Sequence, residues 1–88
     1  MRTPTRRPGL KENLTGSELF IYDAAGEELS VLNASALFIW SLCDGAHDIT
    51  RMGEILSEIY PGVLPGDLRE DIDACLRSLQ QKGLIVDA

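Results

Sequence analysis

The chain lacks most of what a catalyst or a membrane protein carries. Its 88 residues hold one Trp, one His and two Cys. Cys43 and Cys75 lie far apart and form no Cys-x-x-Cys pair. Neither a disulfide framework nor a zinc site is indicated, since zinc needs three or four clustered ligands. No apolar run approaches the roughly 20 residues that cross a bilayer, and no glycine-rich phosphate loop occurs. The N-terminal MRTPTRRPG is basic, but no apolar signal-peptide core follows it. A cytoplasmic protein without membrane contact is expected.

Positive charge is scarce beyond the first residues. Arg2, Arg6 and Arg7 supply three of the 8 basic side chains, so residues 8–88 carry 5 basic against all 14 acidic groups, a net of −9. Phosphate backbones are bound by Lys and Arg that displace counterions. A body this acidic is a poor surface for DNA or RNA.

What is present suits one small soluble domain. The 44% hydrophobic content exceeds that of disordered chains, and 88 residues allow a single modest core. Residues 1–9 read as a flexible arm in which Pro4 and Pro8 block regular pairing; the domain proper spans 10–88. Leu10–Leu14 predicts a short strand closed by Thr15-Gly16. The β-forming run Glu18–Ala24, a turn over Asp23–Gly26 and a strand from Glu28 to Asn33 predict a hairpin. In that last strand Leu29 and Val31 point one way, Ser30 and Leu32 the other.

The pattern then changes period. Asn33 is a helix N-cap residue, and Ala34–Cys43 is apolar nearly all round, which predicts a short buried helix with Phe38, Ile39, Trp40 and Leu42 in the core. Asp48 predicts the cap of a second helix, with Ile49, Met52, Ile55, Leu56 and Ile59 at helical spacing and a stop at Tyr60-Pro61-Gly62. A third helix is expected from about Gly66 to Lys82. Its apolar face is Leu68, Ile72, Cys75, Leu76 and Leu79, and its early acids suit the positive end of the helix dipole. Gly83 closes it, and Leu84–Val86 is expected to fold back on the core or pair briefly. The fold class is therefore α+β, winged-helix-like: a three-stranded antiparallel sheet followed by three helices.

The residues that invite a chemical reading are Cys43, Asp44 and His47. A reactive thiolate needs positive potential, as at a helix N-terminus. Cys43 lies at the negative end of its helix beside Asp44, and both raise its pKa. His47 has no nucleophile or third partner at strand or helix spacing and reads as a solvent-facing loop residue. The acids of the third helix lack a calcium-loop glycine or a His partner and read as a solvated face. Cys43-Asp44-Gly45 is thus a helix stop, with Gly45 free to take the left-handed conformation. Both thiols read as buried and free, and no metal or cofactor is expected.

One block is distinctive. Leu32, Asn33, Ala36, Ile39, Trp40, Leu42, Cys43, Asp44 and Gly45 form an L-N-x-x-A-x-x-I-W-x-L-C-D-G run that resembles the PqqD-like family, named for a small protein of pyrroloquinoline quinone biosynthesis. Asp71-Ile72, Leu76, Leu79 and the K-G-L-I of Lys82–Ile85 agree with it, and the resemblance covers residues 8–86. It implies a non-catalytic peptide-recognition domain that binds the leader of a ribosomally made precursor peptide. The bound precursor is presented to a modifying enzyme, often a radical S-adenosylmethionine enzyme. The leader is expected to dock as an added strand on the edge of the third strand, beside the last helix. Relatives of the founding protein tend to have a Pro-Glu-Gly-like turn before the Leu-Asn; here IYDAAGEELSVLN makes a longer hairpin, so another modified peptide is as much expected as pyrroloquinoline quinone.

Carried onto this chain, the resemblance places the docking strand at Glu28, Leu29, Ser30, Val31 and Leu32, up to Asn33. The pocket is expected between Leu29 and Val31 and the helix flank at Ile72, Leu76 and Leu79, with Arg69 and Arg77 available to leader acids. An unpaired sheet edge can take up a disordered peptide through backbone bonds; the entropic cost of ordering that peptide leaves an affinity around micromolar. Two other classes compete. A winged-helix DNA-binding regulator fits the layout, but its recognition helix would carry four acids in its first half. A homodimer built on exposed edges is compatible with either.

Overall fold

The computed structural model describes residues 3–87. A two-residue loop joins β2 (Lys11–Thr15) to β3 (Glu18–Asp23), with Thr15 opposite Glu18. Gly16 leads that loop at φ 63°, a conformation glycine adopts without a Cβ penalty and one that suits the twist of a tight hairpin. β4 (Glu28–Leu32) pairs antiparallel with β3 from Asp23↔Glu28 to Leu19↔Leu32. The Asp23 carboxylate accepts from the Ala25 and Gly26 amides at 3.1 and 3.4 Å, which shapes the turn between them. The sheet order is β2-β3-β4.

The helices follow with their expected caps. The Asn33 side chain accepts from the Ala36 amide at the start of α1 (Ala34–Ser41), and Asp48 accepts from Arg51 at the start of α2 (Ile49–Ile59). α3 (Pro65–Gln81) begins one residue earlier than expected because Pro65 occupies its first turn, where no N–H is needed. One core joins the layers: Leu19, Ile21 and Leu32 from the sheet, Ile39 and Trp40 from α1, Met52 and Leu56 from α2, and Leu68, Ile72, Leu76 and Leu79 from α3. The α+β, three-strand then three-helix reading is borne out.

Three expectations change. The arm is partly ordered: β1 (Pro4–Arg6) pairs antiparallel with β5 (Ile85–Asp87), giving Leu84–Val86 its partner. Pro4 begins the strand, where a missing N–H is tolerated, and further backbone bonds run from Arg6 to Cys43, Arg7 to Leu84 and Gly45 to Pro4. Arg2 lies outside the described residues. Secondly, α1 ends at Ser41, with Leu42 as its cap residue rather than a helical one. Thirdly, Phe38 is 41% exposed and Leu42 only partly buried, unlike Ile39 and Trp40. An eight-residue helix turns one side to the core; Phe38 leaves it and packs edge-to-face on Tyr60, ring centroids 6.2 Å apart.

Candidate functional site

β4 is the last strand of its sheet and, among the described residues, pairs only with β3. Every second residue of such a strand turns its N–H and C=O away from the existing partner. On that side lies a groove of about 680 Å³ between the end of β4, α1, the end of α2 and one face of α3. Its floor is apolar, made by Leu32, Ile39, Leu56, Ile72 and Leu79; its rim is polar, made by Asn33, Ser35, Asp71, Ser78 and Lys82. Tyr60 and Val63 close one part of it.

The expected site residues divide between surfaces. Val31, Leu32, Ile72 and Leu79 do line the groove. Ser30 is buried opposite Ile21, and Leu76 is a core residue outside the groove lining. Glu28 and Leu29 are exposed on β4 but do not line the groove. Leu29 stands opposite Tyr22 on the outer face of the sheet, so the expected pocket wall of Leu29 and Val31 reduces to Val31. Arg69 lies in a different depression, with Ile49, Gly66, Glu70 and Asp73. Arg77 is exposed and paired with Asp73, one helical turn away, at 2.5 Å. Neither arginine faces the groove.

The sequence reading missed the α3 face that does. Asp71, Cys75, Ser78 and Lys82 recur at three- and four-residue spacing and line the groove beside Ile72 and Leu79. That periodicity was legible in the sequence, but only the position of β4 tells which stripe next to the core faces an opening. Cys75 is therefore half-buried at the groove and not fully enclosed. Burial pushes its thiol pKa up, with the Lys82 charge acting in the opposite direction.

Cys43 is fully buried, and its Sγ–H donates to the Ile39 carbonyl at 3.2 Å. Burial, then Cys75 and Asp44, push its pKa up to about 12 against the pull of Arg6. The thiol therefore points back to the last turn of α1. His47 is half-buried rather than solvent-facing, its Nδ1 at 2.8 Å from Asp44 Oδ1. The Ala46 amide also donates to Asp44, and these two bonds hold the Asp44 carboxyl below its ordinary pKa. Gly45 has φ 82°, as a helix stop requires.

The basic segment is also committed. Arg6 Nη1 donates to the Trp40 and Ser41 carbonyls at 3.0 Å each, satisfying the end of α1. Arg7 pairs with Asp23. These guanidinium groups are engaged within the fold, which weakens the DNA-binding reading. No helix among the described residues is long and apolar enough to cross a membrane.

A family model for coenzyme PQQ synthesis protein D matches residues 18–85. Two solved structures share the fold. One is lasso peptide synthetase B1 complexed with the leader peptide, with 24% identity over 96% of this chain and 98% of that one and a TM-score of 0.83. The other is TbiB1 in complex with the TbiA(beta) leader peptide, with 18% identity over 92% and 93% and a TM-score of 0.81. No curated protein matches the chain.

Proposed function

This chain belongs to the family of coenzyme PQQ synthesis protein D, and from that premise we propose that it is a non-catalytic binder of a precursor peptide's leader segment. The leader is taken up as a fourth strand on β4. The observation that carries this reading is the unpaired side of β4 opening onto the groove beside α3. Backbone bonds to β4 would set the register of the leader, and alternate side chains would enter the apolar floor. Strand addition needs no proton transfer and no nucleophile, in keeping with a Cys43 thiol that stays protonated and enclosed.

The captured precursor is presented to a modifying enzyme. A radical S-adenosylmethionine enzyme is one candidate. A lasso-peptide pathway is the other, supported by two structural neighbours that were both solved with leader peptides and of which one is a lasso peptide synthetase protein.

The test is a fluorescence titration with the leader of the precursor peptide encoded beside this chain. Binding near micromolar is expected. Val31→Pro, at the β4 edge, and Ala74→Trp, on the exposed lip of the groove, are each expected to weaken it by at least about tenfold, or about 1.4 kcal/mol. Circular dichroism identifies any variant that fails to fold. Unaltered affinity in both folded variants, or no binding by the parent chain at about 1 mM, sinks the reading. A salt-dependent shift of duplex DNA would favour the regulator instead.

A further inference from the structure

The face of the sheet turned away from the helices carries a cluster of large apolar side chains over β3 and β4. Leu19 and Ile21 of β3 and Leu32 of β4 are buried on the inner side. By strand alternation the outer side carries Phe20, Tyr22, Leu29 and Val31. The register pairs them directly, Phe20 with Val31 and Tyr22 with Leu29. Tyr22 is 40% exposed, Val31 45% and Leu29 61%. Phe20 between them is half-buried. A compact group of large apolar side chains left in contact with solvent among the described residues marks an interaction surface.

The patch and the leader groove meet at Val31, which lines the groove and belongs to this face. A fourth strand on β4 would lengthen the same face. Acids border it: Glu18 shares the outer side with Phe20 and Tyr22, and Glu27 lies in the turn at the hairpin end, while Lys11 stands opposite Tyr22 and Arg7 is paired with Asp23. Two copies brought face to face would set these acids against each other, in a chain of net charge −6. The complementary partner is instead an apolar protein surface edged with Lys or Arg.

We propose that the outer sheet face, centred on Phe20 and Tyr22, docks the enzyme that acts on the captured peptide through an apolar, basic-rimmed surface of that enzyme. The inference rests on the leader-binding reading, because a binder without a catalytic group needs a second protein to act on what it holds. Docking on the face contiguous with β4 would bring that enzyme beside the leader without blocking the groove.

The test uses the full chain, the leader peptide and the purified modifying enzyme encoded with them. A Phe20→Thr/Tyr22→Thr variant keeps β-forming residues in β3, and a Glu18→Lys/Glu27→Lys variant reverses the rim without touching the patch. Each is expected to bind the leader within twofold of the parent and to lose at least tenfold in affinity for the enzyme, measured by calorimetry. Should the first variant misfold, the second carries the test alone. Enzyme affinity unchanged in the folded variants overturns the inference. So does light scattering that shows a parent dimer dissolved by Phe20→Thr/Tyr22→Thr, which would assign the face to a second copy. A parent chain that fails to bind the leader counts against the proposed function instead.

Discussion

The indole N–H of Trp40 donates to the Glu12 carboxylate at 3.0 Å, so the one Trp of the chain, buried in α1, is tied to the outermost strand of the sheet. All five residues of β2 are exposed, which leaves that strand few other contacts with the helices. Glu12 stands opposite Ile21, on the inner side of the sheet, and this position lets its carboxylate reach the indole.

Glu12→Ala is expected to destabilise the fold by about 1–2 kcal/mol, because a mostly buried donor loses its acceptor. For a domain of this size each kcal/mol corresponds to about 4–8 °C in Tm. Glu12→Gln keeps an acceptor and should lose less. Thermal melts followed by Trp40 emission give the comparison, and equal midpoints for the parent and Glu12→Ala would contradict it.

The Arg7–Asp23 pair ties the chain leaving β1 to the β3–β4 hairpin, and the Arg7 Nε is buried without a partner of its own. The Arg7 hydrogen bond, with smaller help from the Gly26 and Ala25 amides, holds the Asp23 pKa below the ordinary 3.8. A carboxyl whose folded pKa is depressed contributes stability that is present above its unfolded pKa and lost as pH falls through the folded one. The parent should therefore be more stable than Asp23→Asn at pH 7. That advantage should shrink below pH 3.8 and vanish in stronger acid. Denaturant melts of both proteins across that range are the measurement; a gap independent of pH would refute the assignment.

The two thiols should differ in reactivity. With a pKa of about 12, Cys43 at pH 8 is thiolate in only about one molecule in 10⁴, and it is fully enclosed. Iodoacetamide should modify Cys75 first and slowly, and Cys43 only on unfolding. Leader in the groove should protect Cys75, which lines it. Peptide mass spectrometry after timed alkylation reads both sites. Native-state modification of Cys43 as fast as that of Cys75 would show the burial to be wrong.

Two glycines should respond to alanine with opposite signs. At Gly45, φ is 82° and an added Cβ would lie 3.0 Å from the Thr5 hydroxyl oxygen, so Gly45→Ala should cost about 1–3 kcal/mol. Gly53 sits inside α2 with open space around an added Cβ, so Gly53→Ala should add about 0.5–1 kcal/mol. Urea titration of the two variants gives both signs.

The local signals were legible from the sequence. Asn33 and Asp48 cap their helices as their side chains allow, Gly45 stops the chain after α1, and the spacing of Met52, Leu56, Leu68, Ile72 and Leu79 marks buried helix faces. Each depends on residues within one or two turns of one another. The Leu32–Gly45 block likewise pointed to the family, because it is contiguous.

Tertiary structure alone decided the rest. Pro4–Arg6 becomes a strand because β5, from the far end of the chain, arrives beside it. Phe38 turns outward because Tyr60 offers a partner there. Arg69 leaves the expected site while Cys75, Ser78 and Lys82 enter it, because β4 approaches one side of α3 only. Sequence period identifies which residues share a stripe; which stripe meets a neighbour and which meets an opening is fixed by contacts between residues remote along the chain.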